Sequence, residues 1–182
     1  MRLFNSDLNK YKKYSGKPSL VLLLTQQGLW ALFVYRSGHR IYKSKLPKLF
    51  KKPLLILWVL WQKLIEISAG ISIPYTAIIG HSFYIGHFGG IIVNANAVIG
   101  DNCNISQGVT IGVSGKGAQR GVPILGNNIY IGAGAIVAGK INIGDGAVIG
   151  ANSLVIRDVA SGTTVVGVPA KMVSESNSNE YI

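Results

Sequence analysis

The sequence predicts a mainly β protein: a parallel β-helix of hexapeptide repeats, with an N-terminal α-helical segment before it and an extended loop within it. Three observations carry that expectation. An aliphatic residue returns at every sixth position in blocks from Ile73 to Val155. Glycine is frequent, at 23 of 182 residues. The residues before Gly70 lack the period and read as apolar helices among lysines.

The repeat falls into three blocks. The first is Ile73-Pro74, Ile79-Gly80, Ile85-Gly86. The second is Val93-Asn94, Ile99-Gly100, Ile105-Ser106, Ile111-Gly112. The third is Leu125-Gly126, Ile131-Gly132, Val137-Ala138, Ile143-Gly144, Ile149-Gly150, Val155-Ile156. One aliphatic side chain per short strand points inward, and the small residue after it lets the chain turn without a Cβ clash. Coils of three such sides, stacked at the strand spacing of about 4.8 Å, bury a continuous aliphatic column that no single coil buries alone. A period of six fits neither an amphipathic helix nor an alternating strand. Two phase breaks mark bulges. The stretch His87–Ile92 inserts two residues, and Val113–Ile124 reads as a glycine-rich loop with two cations leaving the coil. Long loops on a rigid solenoid commonly carry function.

The net charge of +11 is confined to the head: 13 Lys/Arg stand before Gly70 against Asp7 and Glu66, while the rest is balanced. That asymmetry concerns the head's partners, not the fold. Leu20–Arg40 reads as a helix, Pro47 and Pro53 punctuate the next stretch, and Leu54–Ile67 is an apolar run of about half the ~20 residues a spanning helix needs. Lys43, Lys45, Lys48, Lys51 and Lys52 precede it. Two readings follow: a helix packed on the coil's end or on a neighbouring subunit, or an interfacial helix with its lysines on anionic lipid and Trp58 and Trp61 at headgroup level. The tail from Ser174 is polar and is expected to fray. The expected organisation is a basic helical segment over 1–70, the β-helix over 71–173 and a polar tail over 174–182.

Several chemistries are set aside. A single cysteine, Cys103, leaves no disulfide framework and fits a reducing, cytoplasmic setting. The polar, lysine-rich start does not read as a secretory signal. Three scattered histidines give no expectation of a metal site. No strand-to-helix phosphate loop and no aromatic-basic nucleic-acid module is visible. Cys103 reads as a small buried residue, and His39 and His81 as structural or solvated.

Four segments resemble the serine acetyltransferase family of hexapeptide-repeat acyltransferases: Ile85-Gly-His-Phe-Gly-Gly-Ile-Ile-Val-Asn94, Ile99 to Gly112, Ile131 to Ala135, and Gly167-Val-Pro-Ala-Lys171. The resemblance covers about Ile71 to Val173. It implies a left-handed β-helix, a homotrimer with active sites between subunits, acetyl-CoA as co-substrate, and His87 as catalytic base. Two supporting carboxylates of the family match Ser72 and Gly86 here, and a second histidine matches Val122. With the short head, these departures make the chain similar to the colanic-acid-type branch, which O-acetylates sugars of bacterial surface polysaccharides. Sugar O-acetylation is therefore the expected function, with a small-molecule or lipid-linked sugar as acceptor. Serine O-acetylation for cysteine synthesis is the alternative, and a non-catalytic β-helix scaffold is a second one.

O-acetylation needs a hydroxyl activated near neutral pH, and an imidazole, with an ordinary pKa of about 6.5, can take that proton and pass it to the leaving thiolate. Gly89 and Gly90 allow close backbone approach for oxyanion stabilisation. Counting in sixes from Ile85 puts Gln107 beneath His87 and Ala133 beneath Gln107; Gln107 and Asn94 are candidates to orient the acceptor or the imidazole. By resemblance, the pantetheine arm lies near Gly112, Ala133 and Ala151, with Lys116 and Lys171 meeting CoA phosphates as point charges.

Overall fold

The computed structural model describes residues 2–182. Four helices form the head: α1 (Arg2–Ser15), α2 (Ser19–Thr25), α3 (Gln27–Lys43) and α4 (Lys48–Ala69). The polar-looking start hides α1, whose Phe4, Asp7, Lys10 and Tyr11 recur at helical spacing and are buried. The single helix expected over Leu20–Arg40 is two, broken at Gln26, whose backbone is extended (φ −105°, ψ 103°). Pro53 lies inside α4 rather than ending it. Gly70 stops α4 in the left-handed conformation (φ 63°), donating its N–H to the Glu66 carbonyl, and turns the chain into the first coil.

The strands follow in order: β1 (Ile71–Ser72), β2 (Ile78–Ile79), β3 (Tyr84–Ile85), β4 (Ile91–Val93), β5 (Val98–Ile99), β6 (Asn104–Ile105), β7 (Thr110–Gly112), β8 (Ile124–Leu125), β9 (Tyr130–Ile131), β10 (Ile136–Ala138), β11 (Asn142–Ile143), β12 (Val148–Ile149), β13 (Leu154–Val155), β14 (Thr164–Gly167) and β15 (Ala170–Ser174). Up to β13, every third strand is a neighbour. The sheets are β1-β4-β7-β10-β13, β2-β5-β8-β11 and β3-β6-β9-β12-β14, with β15 closing the third antiparallel to β14. This is the three-sided parallel coil the hexads predict. Its aliphatic column runs in register, Ile79 beside Ile99, Leu125 and Ile143 on one side and Ile85 beside Ile105, Ile131 and Ile149 on another, and all of these side chains are buried. At the corners, close stacking demands glycine. A Cβ on Gly100 would stand 2.5 Å from the Gly126 carbonyl oxygen of the next coil.

The head covers the coil's first edge, where unpaired strand groups would otherwise lie open. The Tyr11 hydroxyl donates to the Ile85 carbonyl at 2.8 Å and accepts from the Ile85 N–H at 3.1 Å. Tyr35 treats Ala77 O and Ile79 N–H the same way. Arg36 donates to the carbonyls of Ile79 and Gly80, both at 2.6 Å, and forks onto the Asp7 carboxylate at 2.9 and 3.0 Å. Asp7 also accepts from Phe83 N–H at 2.9 Å. The tail departs from the expected fraying. Ser178 is buried, takes the Gly146 carbonyl at 3.0 Å through its N–H and bonds Asn128 O through its hydroxyl. Tyr181 stacks on Tyr130 at 4.7 Å between ring centroids.

Candidate active site

The register changes from Ile85 opposite Ile105 to Ile92 opposite Thr110. The corner between them therefore holds two residues with no counterpart in the next coil. Gly86 N–H bonds Ile105 O, and Gly108 N–H bonds Gly89 O, so the extra pair is His87 and Phe88. Both side chains are exposed. Gly89 and Gly90 follow in left-handed conformations (φ 100° and 68°), and the head abuts them: a Cβ on Gly70 would lie 3.0 Å from Gly90 N and 3.1 Å from Gly89 Cα.

This corner corrects the expected position of Gln107. Gln107 lies beneath Gly89, not His87, because the coil absorbs the insertion at the corner itself and restores its ladder one residue later. The column then runs as expected from Gln107 to Ala133, through Gly134 N–H to Gln107 O at 2.9 Å and Asn152 N–H to Ala133 O at 2.8 Å, which brings Ala151 next. Asn94 is committed locally, its side chain accepting Asn96 N–H at 3.0 Å. Gly112 ends β7 opposite Ala138. Lys116 stands exposed on the extended loop, and Lys171 is exposed on β15. Lys171 lines a cleft of about 520 Å³ with Arg157 and Asp158 at the end of the coil, away from His87.

A smaller cleft, about 320 Å³, contains His87 together with Tyr14, Tyr84, Asn104, Ser106, Tyr130 and Tyr181. No carboxylate is among its lining residues. Asn104 donates to the Tyr14 hydroxyl at 3.0 Å and to the Tyr181 carbonyl at 2.7 Å, while its Oδ1 is buried without a hydrogen-bond partner. Buried acceptors are normally paired, and this one is closed off beneath the cleft wall. Sequence reasoning missed these residues. The repeat phase could have found three of them: Tyr84, Asn104 and Tyr130 each precede the inward aliphatic residue of their hexad and stack in register. Tyr14 and Tyr181 carried no such signal, since each arrives from a segment outside the repeat.

Among other reactive groups, burial pushes the Cys103 thiol up to about 11, against a nucleophilic role at neutral pH. His39 Nδ1 lies 2.8 Å from Tyr75 O, a contact that ties head to coil.

A solenoid of hexapeptide coils with a histidine raised on an inserted corner defines the class: a hexapeptide-repeat acyltransferase fold. A scan against protein-family models finds no match. Sequence relatives are informative. The chain is 38% identical over 162 residues to the serine acetyltransferase of Synechococcus elongatus, covering 89% of this chain and 63% of that protein. It is 36% identical over 162 residues to that of Bacillus pumilus, covering 89% of this chain and 71% of that protein. A solved serine acetyltransferase in complex with CoA superposes with a TM-score of 0.79 at 29% identity, over 94% of this chain and 68% of that one. The chain belongs to the serine acetyltransferase family, and its coil is the left-handed parallel β-helix of that family. It spans less than two thirds of the length of the Synechococcus relative. The expected placement in the polysaccharide branch has no support among these relatives, all of which carry the serine acetyltransferase name.

Proposed function

We propose that the chain is an O-acetyltransferase that moves the acetyl group of acetyl-CoA directly onto an acceptor hydroxyl, with His87 as general base. The observation that carries this reading is the two-residue insertion, which lifts one imidazole out of an otherwise closed ladder. His87 takes the hydroxyl proton as the acceptor oxygen attacks the thioester carbonyl. The tetrahedral oxyanion collapses, the C–S bond breaks, and His87 returns the proton to the CoA thiolate. The N–H group of Gly89 donates to no carbonyl among the described residues, which leaves it free to stabilise the oxyanion, whereas Gly90 N lies against Gly70 of the head. Ala133 and Ala151 present the backbone of one corner, and Gly112 that of the next corner round the coil, for the pantetheine arm, and Lys116 and Lys171 are the cations for its phosphates. Assembly as a homotrimer fits the exposed Ile92 and Ile136 on one outer face and Ile78 and Ile124 on another, since apolar side chains on a flat outer wall call for a neighbour.

Serine is the acceptor that the named relatives favour, and they match along 89% of this chain. A sugar hydroxyl is the second reading, favoured by the cleft itself. Four tyrosines suit a neutral polyhydroxylated ring, whereas a zwitterion would need charged partners that this protomer's cleft does not line up. Thiol release from acetyl-CoA decides between them, with L-serine in one series and sugars or sugar nucleotides in the other. Turnover with serine alone establishes the first reading, and turnover with sugars alone the second. His87→Ala is expected to lower the rate by about 10²–10⁴-fold with unchanged circular dichroism. An unchanged rate would overturn the mechanism and leave a scaffold.

A further inference from the structure

The outer surface of α4 is inverted relative to an ordinary surface helix. Leu54, Leu55, Trp58, Ile65 and Ala69 turn towards the rest of the protein at helical spacing. Yet the opposite face, which should be polar, carries Leu49, Ile56, Leu57, Leu60, Leu64 and Ile67 with 58–83% of each side chain's residue exposed. The short helix α2 extends this surface with Leu20 and Leu24, each 68% exposed. A groove lined by Leu23, Trp30, Phe33 and Trp61 joins the two helices. Six large apolar side chains exposed on one face of a single helix exceed the scattered apolar residues of a normal surface.

Charge identifies what covers it. The head carries 13 Lys/Arg, and both of its acids are occupied. Asp7 is buried on Arg36, and Glu66 holds Lys63, Gln62 and Ser72. Lys43, Lys45, Lys48, Lys51 and Lys52 gather where α4 begins. A second head docking face to face would set like charges against each other. The coil of a neighbouring copy is electrically balanced and would cover the apolar groups while leaving the lysines unmatched. A bilayer with acidic headgroups satisfies both features at once. No helix among the described residues is long and apolar enough to cross a membrane, so α4 would lie in the plane of the interface, with Trp61 at the depth tryptophans favour.

We propose that the outer face of α2 and α4 seats the protein on an anionic lipid surface, apolar side chains in the acyl boundary and the α4 lysines on the headgroups. Flotation of the full chain with phosphatidylcholine vesicles, with and without phosphatidylglycerol, tests this. The chain is expected to float with the acidic vesicles, to remain below with neutral ones, and to be released by salt. Leu60→Glu with Leu64→Glu should abolish flotation while thiol release and the mass by light scattering stay unchanged. Lys48→Gln with Lys52→Gln should weaken binding to acidic vesicles by about tenfold or more, each lysine near such a surface contributing about 1 kcal/mol. A chain that never floats, or that floats equally well with neutral vesicles, overturns the proposal. A fall in mass of the double-Glu variant also overturns it and makes the face a contact between subunits.

Discussion

The coil and the head reach stability by opposite means. In the coil, each turn repeats the one before. Short backbone ladders and an in-register aliphatic column spread the energy over many equivalent contacts, as nearest-neighbour stacking requires. The head has no repeat. It grips the coil through a few side chains, Asp7, Tyr11, Tyr35 and Arg36, each satisfying buried backbone groups of the first coil. Shaving one methylene from the column, Ile to Val, costs about 0.5–1.5 kcal/mol. Breaking the Asp7–Arg36 pair should cost several times more, because it leaves a buried charge unpaired.

The sharpest way to break this contrast is the Asp7–Arg36 pair. Both side chains are almost fully buried, at 0% and 6% exposure. Asp7→Ala strands the guanidinium and is expected to cost about 3–5 kcal/mol. Arg36→Met should cost a similar amount, and the double variant less than the sum. All three tryptophans, Trp30, Trp58 and Trp61, belong to the head. Urea unfolding followed by tryptophan fluorescence therefore reports the head, and far-ultraviolet circular dichroism reports both regions. The head signal of Asp7→Ala should move to lower urea ahead of a strand-dominated second transition. Coincident transitions would mean that head and coil unfold as one unit.

That contrast also explains what the sequence disclosed. Periodicity is a local signal, so the coil, its side order and the insertion at His87 were readable from Ile73 onward. The same arithmetic misplaced Gln107, because counting in sixes cannot tell at which corner an insertion is absorbed. The head's anchors are long-range pairings, Tyr11 with Ile85 and Arg36 with Ile79, and no period announces them. Helix α1 escaped because Asp7 and Lys10 look like surface residues, yet both are buried. The tyrosine cleft was half legible: Tyr84, Asn104 and Tyr130 stand in the repeat, whereas Tyr14 and Tyr181 are delivered by the head and by a tail expected to be loose.

A smaller effect sharpens the contrast. Tyr11→Phe removes one hydroxyl and leaves the Ile85 N–H and carbonyl without their buried partner, since β3 is the edge of its sheet. The expected loss is about 1–3 kcal/mol, read as a shift in the urea midpoint. Tyr14→Phe, whose ring is exposed at 40%, should cost much less. Equal losses would show that the edge bonds to Tyr11 are replaced by water.

The smallest effect is a pH slope. Lys10 is buried against the coil, its ammonium donating to Asn102 Oδ1 at 2.6 Å, and burial lowers its pKa to about 8. In the unfolded chain a lysine keeps its proton to about pH 10.4. Between these values the unfolded state binds more protons, so stability rises with pH across that window. Above about pH 8.5 the Cys103 thiol, which burial pushes up to about 11, and above about pH 10 the buried Tyr11 phenol, held above its ordinary value, act with the opposite sign and oppose the rise. With Cys103 replaced by Ala to remove the opposing thiol, urea midpoints measured between about pH 7 and pH 10 should therefore climb. Lys10→Met should flatten the climb, because no proton is then lost from the folded edge. A profile already flat in the Cys103→Ala chain would mean that water reaches the Lys10 ammonium, and that this corner of the head closes on the coil less completely than Asp7 and Tyr11 do.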